Sequence, residues 1–354
     1  MKLSVNLPEK SYELLIEKNS LNQVGNWVAS LWGKQKIVLI TDTTVASLYE
    51  KQVKTSIEAQ GFEVFTYGIE PGEGSKSLAT AEKIYHFLAE KEMTRKDGII
   101  ILGGGVVGDL GGFVASTFMR GLHFLQIPTT LLAQVDSSIG GKTAVNTSVA
   151  KNLVGTFAQP DGVLIDPMTL NTLEDRRIRE GLAEVVKSAA IADSNLWHLL
   201  ETLKDEHDAL EKSEEIIYAC CQVKRKVVEE DEKDTGIRLI LNYGHTIGHA
   251  IEQTYGYGVV THGEAVAIGM CCITRAAERL GTMPTGIIEP LEKMLSKFHL
   301  PTTIDNWNEE SIFKALTHDK KTSGNQIRII LLETIGQAKI TTIQTEEMKN
   351  YIKG

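Results

Sequence analysis

The chain of 354 residues carries a net charge of −9, with 42% hydrophobic and 23% charged residues. These are the proportions of an ordinary globular protein, and the length favours two or three domains. The negative charge argues against nucleic acid or an anionic membrane as a partner, and no apolar run approaches the roughly 18 residues of a membrane span. Met1 to Ser20 lacks the apolar core of a signal peptide.

Strand and helix patterns alternate in the first half of the chain. Strand patterns occupy Lys36–Ile40, Phe62–Tyr67, Gly98–Leu102, Leu122–Ile127 and Val163–Ile165, and helix patterns occupy Thr44–Gln60, Ala79–Lys91 and Leu110–Thr117. Gly98–Leu102 is apolar throughout, which is typical of a strand buried on both faces. The alternation predicts a Rossmann-like α/β domain with a parallel sheet, over residues 1–174.

The second half is dominated by a periodicity of 3.6 residues. The helix patterns are Arg177–Ala192, Ser213–Glu230, Leu239–Gln253, His262–Leu280 and Ile287–Phe298, and one strand pair is expected at Ile327–Leu332 and Ala338–Ile343. These patterns predict a mainly α-helical domain over residues 175–354. Two adjacent cysteine pairs, Cys220–Cys221 and Cys271–Cys272, lack C-x-x-C spacing, which favours reduced, buried thiols in a cytoplasmic protein.

A glycine cluster, Gly103–Gly108, follows the buried strand pattern and precedes a helix pattern. Its sequence satisfies G-x-G-x-x-G, in which glycines let the backbone approach a pyrophosphate at a helix N-terminus. A tight strand–helix turn is the alternative interpretation. The acidic residue expected roughly 20 positions later is missing, so Asp42, at the end of an earlier strand, is the better candidate for a ribose hydroxyl. Asp42 could equally cap the following helix.

Three histidines and one glutamate suggest a metal site in the second domain. His245 and His249 are spaced i, i+4 and share a helix face, while His262 begins the next helix pattern. Glu184 lies on an earlier helix. Catalytic zinc commonly has three protein ligands and one open position. The spacing alone does not decide which of these side chains bind a metal, or whether they are ordinary polar residues.

Several cations lie in apolar or glycine-rich settings. Lys142 follows two glycines in a segment that resembles an anion-binding loop, and Lys187 lies one helical turn after Glu184. Arg238 and Asn242 precede His245 by seven and three residues, which predicts one shared helix face. In an acidic protein these cations would form a pocket for phosphate and carboxylate groups, although any single one could be a surface charge.

Nine motifs together resemble the 3-dehydroquinate synthase family. They occur in the family's order along nearly the whole chain: Leu102–Asp109, Met119–Gly121, Gln126–Thr130, Ala133–Thr143, Lys151–Gly155, Gly181–Lys187, Asn242–Glu252, His262–Val266 and Asp319–Lys321. The resemblance implies a two-domain fold with the active site between the domains, and a homodimer. It also implies bound NAD, and zinc or cobalt held by Glu184, His245 and His262.

The resemblance also implies which residues contact the cofactor and the substrate. The implied NAD-binding residues are Asp42, Pro71, Gly72, Glu73, Gly74, Ser75, Lys76, Gly104, Gly105, Val106, Val107, Gly108, Asp109, Thr129, Thr130, Lys142, Lys151, Thr169, Leu170, Asn171 and Thr172. The implied catalytic and substrate-binding residues are Arg120, Asp136, Lys142, Lys151, Asn152, Lys187, Lys224, Asp234, Arg238, Asn242, His249 and Lys320. Asp234, Ala144 and Ser188–Ala189 depart from the usual family pattern, and the shorter Asp234 side chain weakens that expected contact.

The implied reaction converts 3-deoxy-D-arabino-heptulosonate 7-phosphate to 3-dehydroquinate and phosphate, a step towards the aromatic amino acids. It combines transient NAD-dependent oxidation, phosphate elimination, re-reduction and an intramolecular aldol closure. Another sugar-phosphate cyclase, a metal-dependent polyol dehydrogenase of similar fold, and a non-catalytic NAD-binding regulator are the alternatives. A substrate with several negative charges is expected, and no nucleic acid or membrane.

Overall fold

The computed structural model describes residues 1–256, 258–318 and 325–353, and the chain forms two compact units, Met1–Leu173 and Glu174–Gly354. Each helix in the described ranges is too short or too polar to span a bilayer. The expected architecture is confirmed, with a parallel-dominated sheet in the first unit and mainly helices in the second.

A seven-stranded sheet forms the centre of the first unit. Its strands are β1 (Lys2–Val5), β2 (Tyr12–Ile16), β3 (Lys36–Asp42), β4 (Glu63–Ile69), β5 (Gly98–Gly103), β6 (His123–Pro128) and β9 (Gly162–Ile165), in the order β1-β2-β9-β6-β5-β3-β4. All neighbouring strands are parallel except β1 and β2, which the sequence patterns did not predict. A separate antiparallel hairpin joins β7 (Lys142–Val145) to β8 (Val154–Phe157).

Helices cover both faces of this sheet. They are α1 (Val24–Leu31), α2 (Thr43–Val45), α3 (Lys51–Glu58), α4 (Leu78–Glu90) and α5 (Gly105–Thr117). Alternate side chains of β5 enter two different apolar cores: Ile99 and Ile101 pack on one face, and Ile100 and Leu102 pack on the other. Burial of both faces explains why the sequence of this strand is apolar without alternation.

The second unit consists of nine helices and one hairpin in the part of the chain that the structure describes. The helices are α6 (Asp175–Ala192), α7 (Ser194–Thr202), α8 (Glu206–Glu211), α9 (Ser213–Glu230), α10 (His245–Tyr255), α11 (His262–Arg279), α12 (Ile288–Lys297), α13 (Glu309–His318) and α14 (Met348–Tyr351). The expected strand pair is confirmed as antiparallel β10 (Gln326–Thr334) and β11 (Gln337–Gln344).

The single helix predicted over Leu239–Gln253 is wrong. Residues Ile237–Asn242 form a 3-10 helix, and α10 begins only at His245. Gly244 separates the two with a φ of 78°, and a Cβ at this position would lie 2.5 Å from Met270 Cγ. Only glycine combines this backbone conformation with such close packing. Arg238, Asn242 and His245 therefore do not share one helix face.

Candidate active site

Three helices of the second unit bring Glu184, His245 and His262 together. Each offers one donor atom, and the three donor atoms lie within 4.8 Å of one another. Glu184 Oε1 is 3.4 Å from Nε2 of His245 and 3.6 Å from Nε2 of His262. The Glu184 side chain is only 1% exposed, so the carboxylate is a buried negative charge that needs compensation.

Glycines allow the three helices to approach closely enough for this arrangement. A Cβ on Gly263 would lie 2.3 Å from the carbonyl oxygen of Glu180 on α6, and one on Gly269 would lie 2.1 Å from that of Gly244. His262 starts α11 at a well-defined point, because Thr261 and Glu264 form a reciprocal capping box. The helix start predicted at His262 is confirmed.

Lys187 supplies a cation to the same cluster. Its ammonium pairs with Glu184 Oε2, and both side chains are buried. Burial alone would raise the pKa of Glu184, but Lys187 and the two imidazoles hold it well below its usual range. Burial and the Lys187 ammonium hold the pKa of His245 well below its usual value. The carboxylate is therefore ionised and the His245 imidazole is neutral, which is the form that binds metals.

Outer hydrogen bonds orient both imidazoles. His245 Nδ1 donates to the Tyr243 carbonyl oxygen at 3.2 Å, and His262 Nδ1 donates to Glu252 Oε2 at 3.1 Å. Each Nε2 is thereby directed towards Glu184. Burial opposes a charge on His262, yet the carboxylates of Glu184 and Glu252 raise its pKa to about 10. Orientation of this kind is usual around metal-binding histidines.

The donor set fits a divalent transition metal. Within the described chain, neither Glu184 oxygen accepts a hydrogen bond of good geometry, although both are fully buried. One carboxylate oxygen and two imidazole nitrogens match the three protein ligands of a catalytic zinc site. A second possible set, His249, Glu252 and His262, competes for His262. It fits less well, because Glu252 already accepts from His262 Nδ1.

A cavity of about 510 Å³ adjoins the cluster within the second unit. Its lining includes His245, His249, Asn242, Gln253 and Arg328. The His249 side chain is exposed, and its ring centroid lies 5.5 Å from that of His245 and 5.8 Å from that of His262. His249 and Asn242 therefore face space that a small ligand could occupy beside the three candidate ligands.

Other cations expected at the site are buried in the second unit. Lys224 on α9 is buried while Lys226 is exposed, so this basic run is divided between interior and solvent as expected. Arg238 is only 1% exposed, and its Nη1 donates to the Glu232 carbonyl oxygen at 2.6 Å. Asp234 lies on the same loop with a φ of 60°. Lys320 lies outside the described residues.

In the first unit, the expected cofactor residues lie at the carboxyl edge of the parallel sheet. Gly103 ends β5, Gly104 is the N-cap of α5, and Gly105 begins that helix. A Cβ on Gly105 would lie 3.1 Å from Ser137 Oγ, so the turn is crowded. Open parallel sheets bind ligands at this edge.

The remaining expected cofactor residues follow neighbouring strands at the same edge. Asp42 ends β3, and its Oδ1 accepts from the backbone N–H groups of Thr44 and Val45 at 2.9 and 3.0 Å. Asp42 therefore caps α2, as the alternative interpretation expected. Capping uses only Oδ1, so the same side chain could also contact a ribose hydroxyl. Thr129–Thr130 follow β6, residues 71–76 follow β4, and Thr169–Thr172 lie in a 3-10 helix after β9.

Lys76 joins three of the expected residues into one network. Its buried ammonium donates to Asp109 Oδ2 and Asn152 Oδ1. Burial raises the pKa of Asp109 despite this pairing. Asn146, which no motif singled out, donates to Glu73 Oε1 at 2.8 Å and accepts from the Asn152 backbone N–H at 2.9 Å. An expected substrate residue, Asn152, thus shares hydrogen bonds with expected cofactor residues.

The other expected residues of the first unit have more open environments. Arg120 follows α5 with a φ of 69°, and Asp136 lies half-buried in a π-helical turn, Ala133–Ser137. Lys142 begins β7 and is exposed, and Lys151 is half-buried before β8. Glu252, Tyr243 and Asn146 are the contacts that the sequence interpretation missed. Only Glu252 had a local signal, since it lies three residues after His249 on the same helix face.

Comparison with known proteins identifies a family over most of the chain. The model described as 3-dehydroquinate synthase N-terminal matches residues 66–180, and the C-terminal model matches residues 181–322. A 3-dehydroquinate synthase from Enterococcus faecalis is 62% identical over 352 residues, covering 99% of this chain and 98% of that protein. One from Streptococcus mutans is 59% identical over the full length of both proteins.

Solved structures of related cyclases resemble the whole chain. A 2-deoxy-scyllo-inosose synthase complexed with carbaglucose-6-phosphate, NAD+ and Co2+ has a TM-score of 0.89 at 26% identity, covering 99% of both chains. A 2-epi-5-epi-valiolone synthase from Streptomyces hygroscopicus, with NAD+ and Zn2+ bound, has a TM-score of 0.88 at 25% identity, covering 98% of this chain and 97% of that one. A probable glycerol dehydrogenase from Sinorhizobium meliloti, 15% identical with a TM-score of 0.61 over 96% of this chain and 94% of that one, shares the fold alone.

Proposed function

The chain belongs to the 3-dehydroquinate synthase family, and we propose that it converts 3-deoxy-D-arabino-heptulosonate 7-phosphate to 3-dehydroquinate and phosphate. The observation that carries this proposal is the cluster of buried Glu184 and Lys187 with half-buried His245 and His262 beside a cavity. Identity of 62% over nearly the full length of a named relative supports the same reaction.

Glu184, His245 and His262 would hold a zinc or cobalt ion in this proposal, and the first unit would hold NAD. When bound, the metal polarises substrate oxygens and NAD+ accepts and later returns a hydride. The chain's own residues position these groups. Tyr243 and Glu252 orient the two imidazoles, and Lys187 stabilises the ionised Glu184.

The cations determine which substrate fits. Lys187, Lys224 and Arg238 place positive charge in the interior of the second unit of an acidic protein. A substrate with one phosphate and one carboxylate is complementary to this positive charge. Arg120, Asp136, Lys142, Lys151, Asn152, Asp234, Asn242 and Lys320 complete the proposed substrate-binding and catalytic set. His249 faces the cavity and would carry a proton to or from the substrate, because an imidazole ring can both accept and donate a proton.

The proposed NAD site uses the carboxyl edge of the sheet. The backbone N–H groups at the start of α5 would face the pyrophosphate, as in other nucleotide-binding folds. Asp42 would contact a ribose hydroxyl while capping its helix. The loop of residues 71–76, Thr129, Thr130 and the segment Thr169–Thr172 would complete the site.

A homodimer in the cytoplasm is part of the proposal. Cys220, Cys221, Cys271 and Cys272 are buried thiols that form no disulfide, which suits a reducing compartment. Burial raises the pKa of Cys272 to about 11, so this thiol is unreactive near neutral pH. Sedimentation equilibrium tests the dimer and would reject it by returning the monomer mass of 39.0 kDa.

The competing cyclases act on other sugar phosphates, so substrate choice is the test. The zinc- and NAD-loaded protein is expected to release phosphate from 3-deoxy-D-arabino-heptulosonate 7-phosphate and none from glucose 6-phosphate. The heptulosonate phosphate carries a carboxylate that glucose 6-phosphate lacks, and the lysines and arginines of the proposed site would bind that carboxylate. Release from glucose 6-phosphate alone would favour an inosose-forming cyclase instead.

A further inference from the structure

The loop between α9 and the 3-10 helix Ile237–Asn242 is fastened by one carboxylate. Asp231 Oδ1 accepts from the Thr235 backbone N–H at 3.0 Å, and Oδ2 accepts from those of Gly236 and Arg238 at 2.6 and 3.1 Å. The Asp231 backbone N–H in turn donates to Val227 and closes α9. One side chain therefore joins the end of α9 to the start of the next helical segment.

This carboxylate replaces a missing helix cap. Gly236 is the N-cap of the 3-10 helix and has no side chain to accept from the free N–H groups. Those groups need an acceptor, which an N-cap residue usually provides from its own side chain. Asp231 provides it from five residues earlier. The backbone hydrogen bonds lower the pKa of Asp231 against the opposing effect of burial, so the acceptor is charged near neutral pH.

The same loop holds the guanidinium of Arg238. Arg238 Nη1 donates to the Glu232 carbonyl oxygen at 2.6 Å, and the side chain is almost fully buried. A second attachment comes from β10, where Arg328 Nη1 donates to the Thr235 carbonyl oxygen at 3.2 Å. The backbone of Arg238 and the carbonyl that receives its guanidinium are thus both positioned by the loop that Asp231 fastens.

We propose that Asp231 is a positioning residue for substrate binding, which fixes the loop so that Arg238 presents its guanidinium to an anionic group of the substrate. This inference rests on the proposed function, in which Arg238 binds substrate. Asp231 itself contacts backbone N–H groups and has no part in the chemistry. Its effect on substrate binding would pass through the loop that carries Asp234 and Arg238, and a double-mutant cycle with Arg238 isolates the part due to that guanidinium.

The chain offers a matched control in Asp205. Asp205 is half-buried like Asp231, and its Oδ1 accepts from the backbone N–H groups of His207 and Asp208 at 2.9 and 3.0 Å. It caps α8 through these two hydrogen bonds, and neither of them involves the loop that carries Arg238. Asp205→Ala therefore removes a comparable set of backbone contacts without disturbing the proposed substrate residue.

In the zinc- and NAD-loaded enzyme, Asp231→Ala is expected to raise KM for the heptulosonate phosphate roughly tenfold, with kcat within about threefold of wild type. Asp205→Ala should leave KM unchanged. Equal KM in Asp231→Ala and wild type, or equal increases in both variants, would overturn the inference. Should Asp231→Ala fail to fold, Asp231→Asn keeps one acceptor oxygen and is expected to raise KM about threefold.

A double-mutant cycle tests the route through Arg238. In an Arg238→Lys background, Asp231→Ala should raise KM less than about twofold, because the group being positioned is already altered. If Asp231→Ala raises KM by the same factor in the Arg238→Lys background as in the wild type, the two residues act independently and the inference is overturned. A wild-type enzyme that releases no phosphate would reject the proposed function, whereas an active wild type with unaffected Asp231 variants would reject only this inference.

Discussion

The candidate sites of the first and second units differ in the chemical groups that form them. At the carboxyl edge of the sheet, the glycine turn and the start of α5 offer mainly backbone N–H groups. In the second unit, the buried side chains of Glu184 and Lys187 and the half-buried side chains of His245 and His262 have charges that depend on one another. The first kind of site should tolerate single side-chain changes, whereas the second should fail when one member is lost.

The largest effect is expected from removing a member of the buried cluster. His262→Ala should abolish stoichiometric metal binding and lower activity by roughly a thousandfold or more, because a catalytic metal has only three protein ligands. Thermal stability should change little, since the Thr261–Glu264 capping box that starts α11 remains. Metal content by atomic spectroscopy is the measurement. An unchanged affinity for one metal per chain would show that the ligand assignment is wrong.

The cluster also predicts a pH dependence for metal binding. The pKa of His262 is raised from 6.5 to about 10, so its charge stabilises the metal-free fold below pH 6.5. That stabilisation is lost as the pH rises towards 10. A metal must displace this proton, so zinc affinity should rise about tenfold per pH unit between pH 7 and 9. Competition with a chelator of known affinity measures the slope, and a flat profile would contradict the charged state of His262.

An intermediate effect is expected from Glu252, which contacts the cluster from outside. Glu252→Ala removes the acceptor of His262 Nδ1 and should lower metal affinity roughly 10- to 100-fold. His198→Ala is a suitable control, because its pairing with Glu201 is exposed and outside the proposed site. Metal titration of both variants compares them. Equal affinities would show that His262 needs no orienting partner.

The smallest effect is expected in the first unit. Lys151→Ala should lower activity about tenfold, since a charge-assisted hydrogen bond contributes roughly 1.5–3 kcal/mol. The melting temperature should barely move, because the side chain is half-buried in a loop. Lys54→Ala, which breaks only a surface pair with Glu58, is the control. Full turnover in Lys151→Ala would show that this lysine is a surface charge.

The sequence predicted β3, β4, β5, β6 and β9 and the helices that follow β3, β4 and β5, because their signals are local, but it did not predict α1 or the β7–β8 hairpin. The apolar β5 and the glycine turn after it can be interpreted within a ten-residue window. The antiparallel β1–β2 pair was missed, since its short strands carry no comparable pattern. The break at Gly244 was missed for a different reason. It depends on the packing of Met270 against that glycine, which no local window contains.

The candidate metal site could be predicted only in part. Spacing grouped His245, His249 and His262 but could not choose among them, and the family resemblance made that choice. The structure supplies the physical reason for the grouping with Glu184. Gly263 lets α11 approach α6, and the outer hydrogen bonds direct two of the three imidazoles towards the carboxylate. Contacts such as Lys76 with Asp109 and Asn152 join residues far apart in sequence and have no sequence signal.

The fate of the hydride tests the central claim most directly. A cyclase returns the hydride to its substrate, whereas a polyol dehydrogenase of the same fold releases NADH at each turnover. With the heptulosonate phosphate and a catalytic amount of NAD+, phosphate should appear at every turnover. Absorbance of free NADH should stay flat meanwhile. NADH that accumulates in step with substrate loss, without phosphate, would contradict the cyclase assignment.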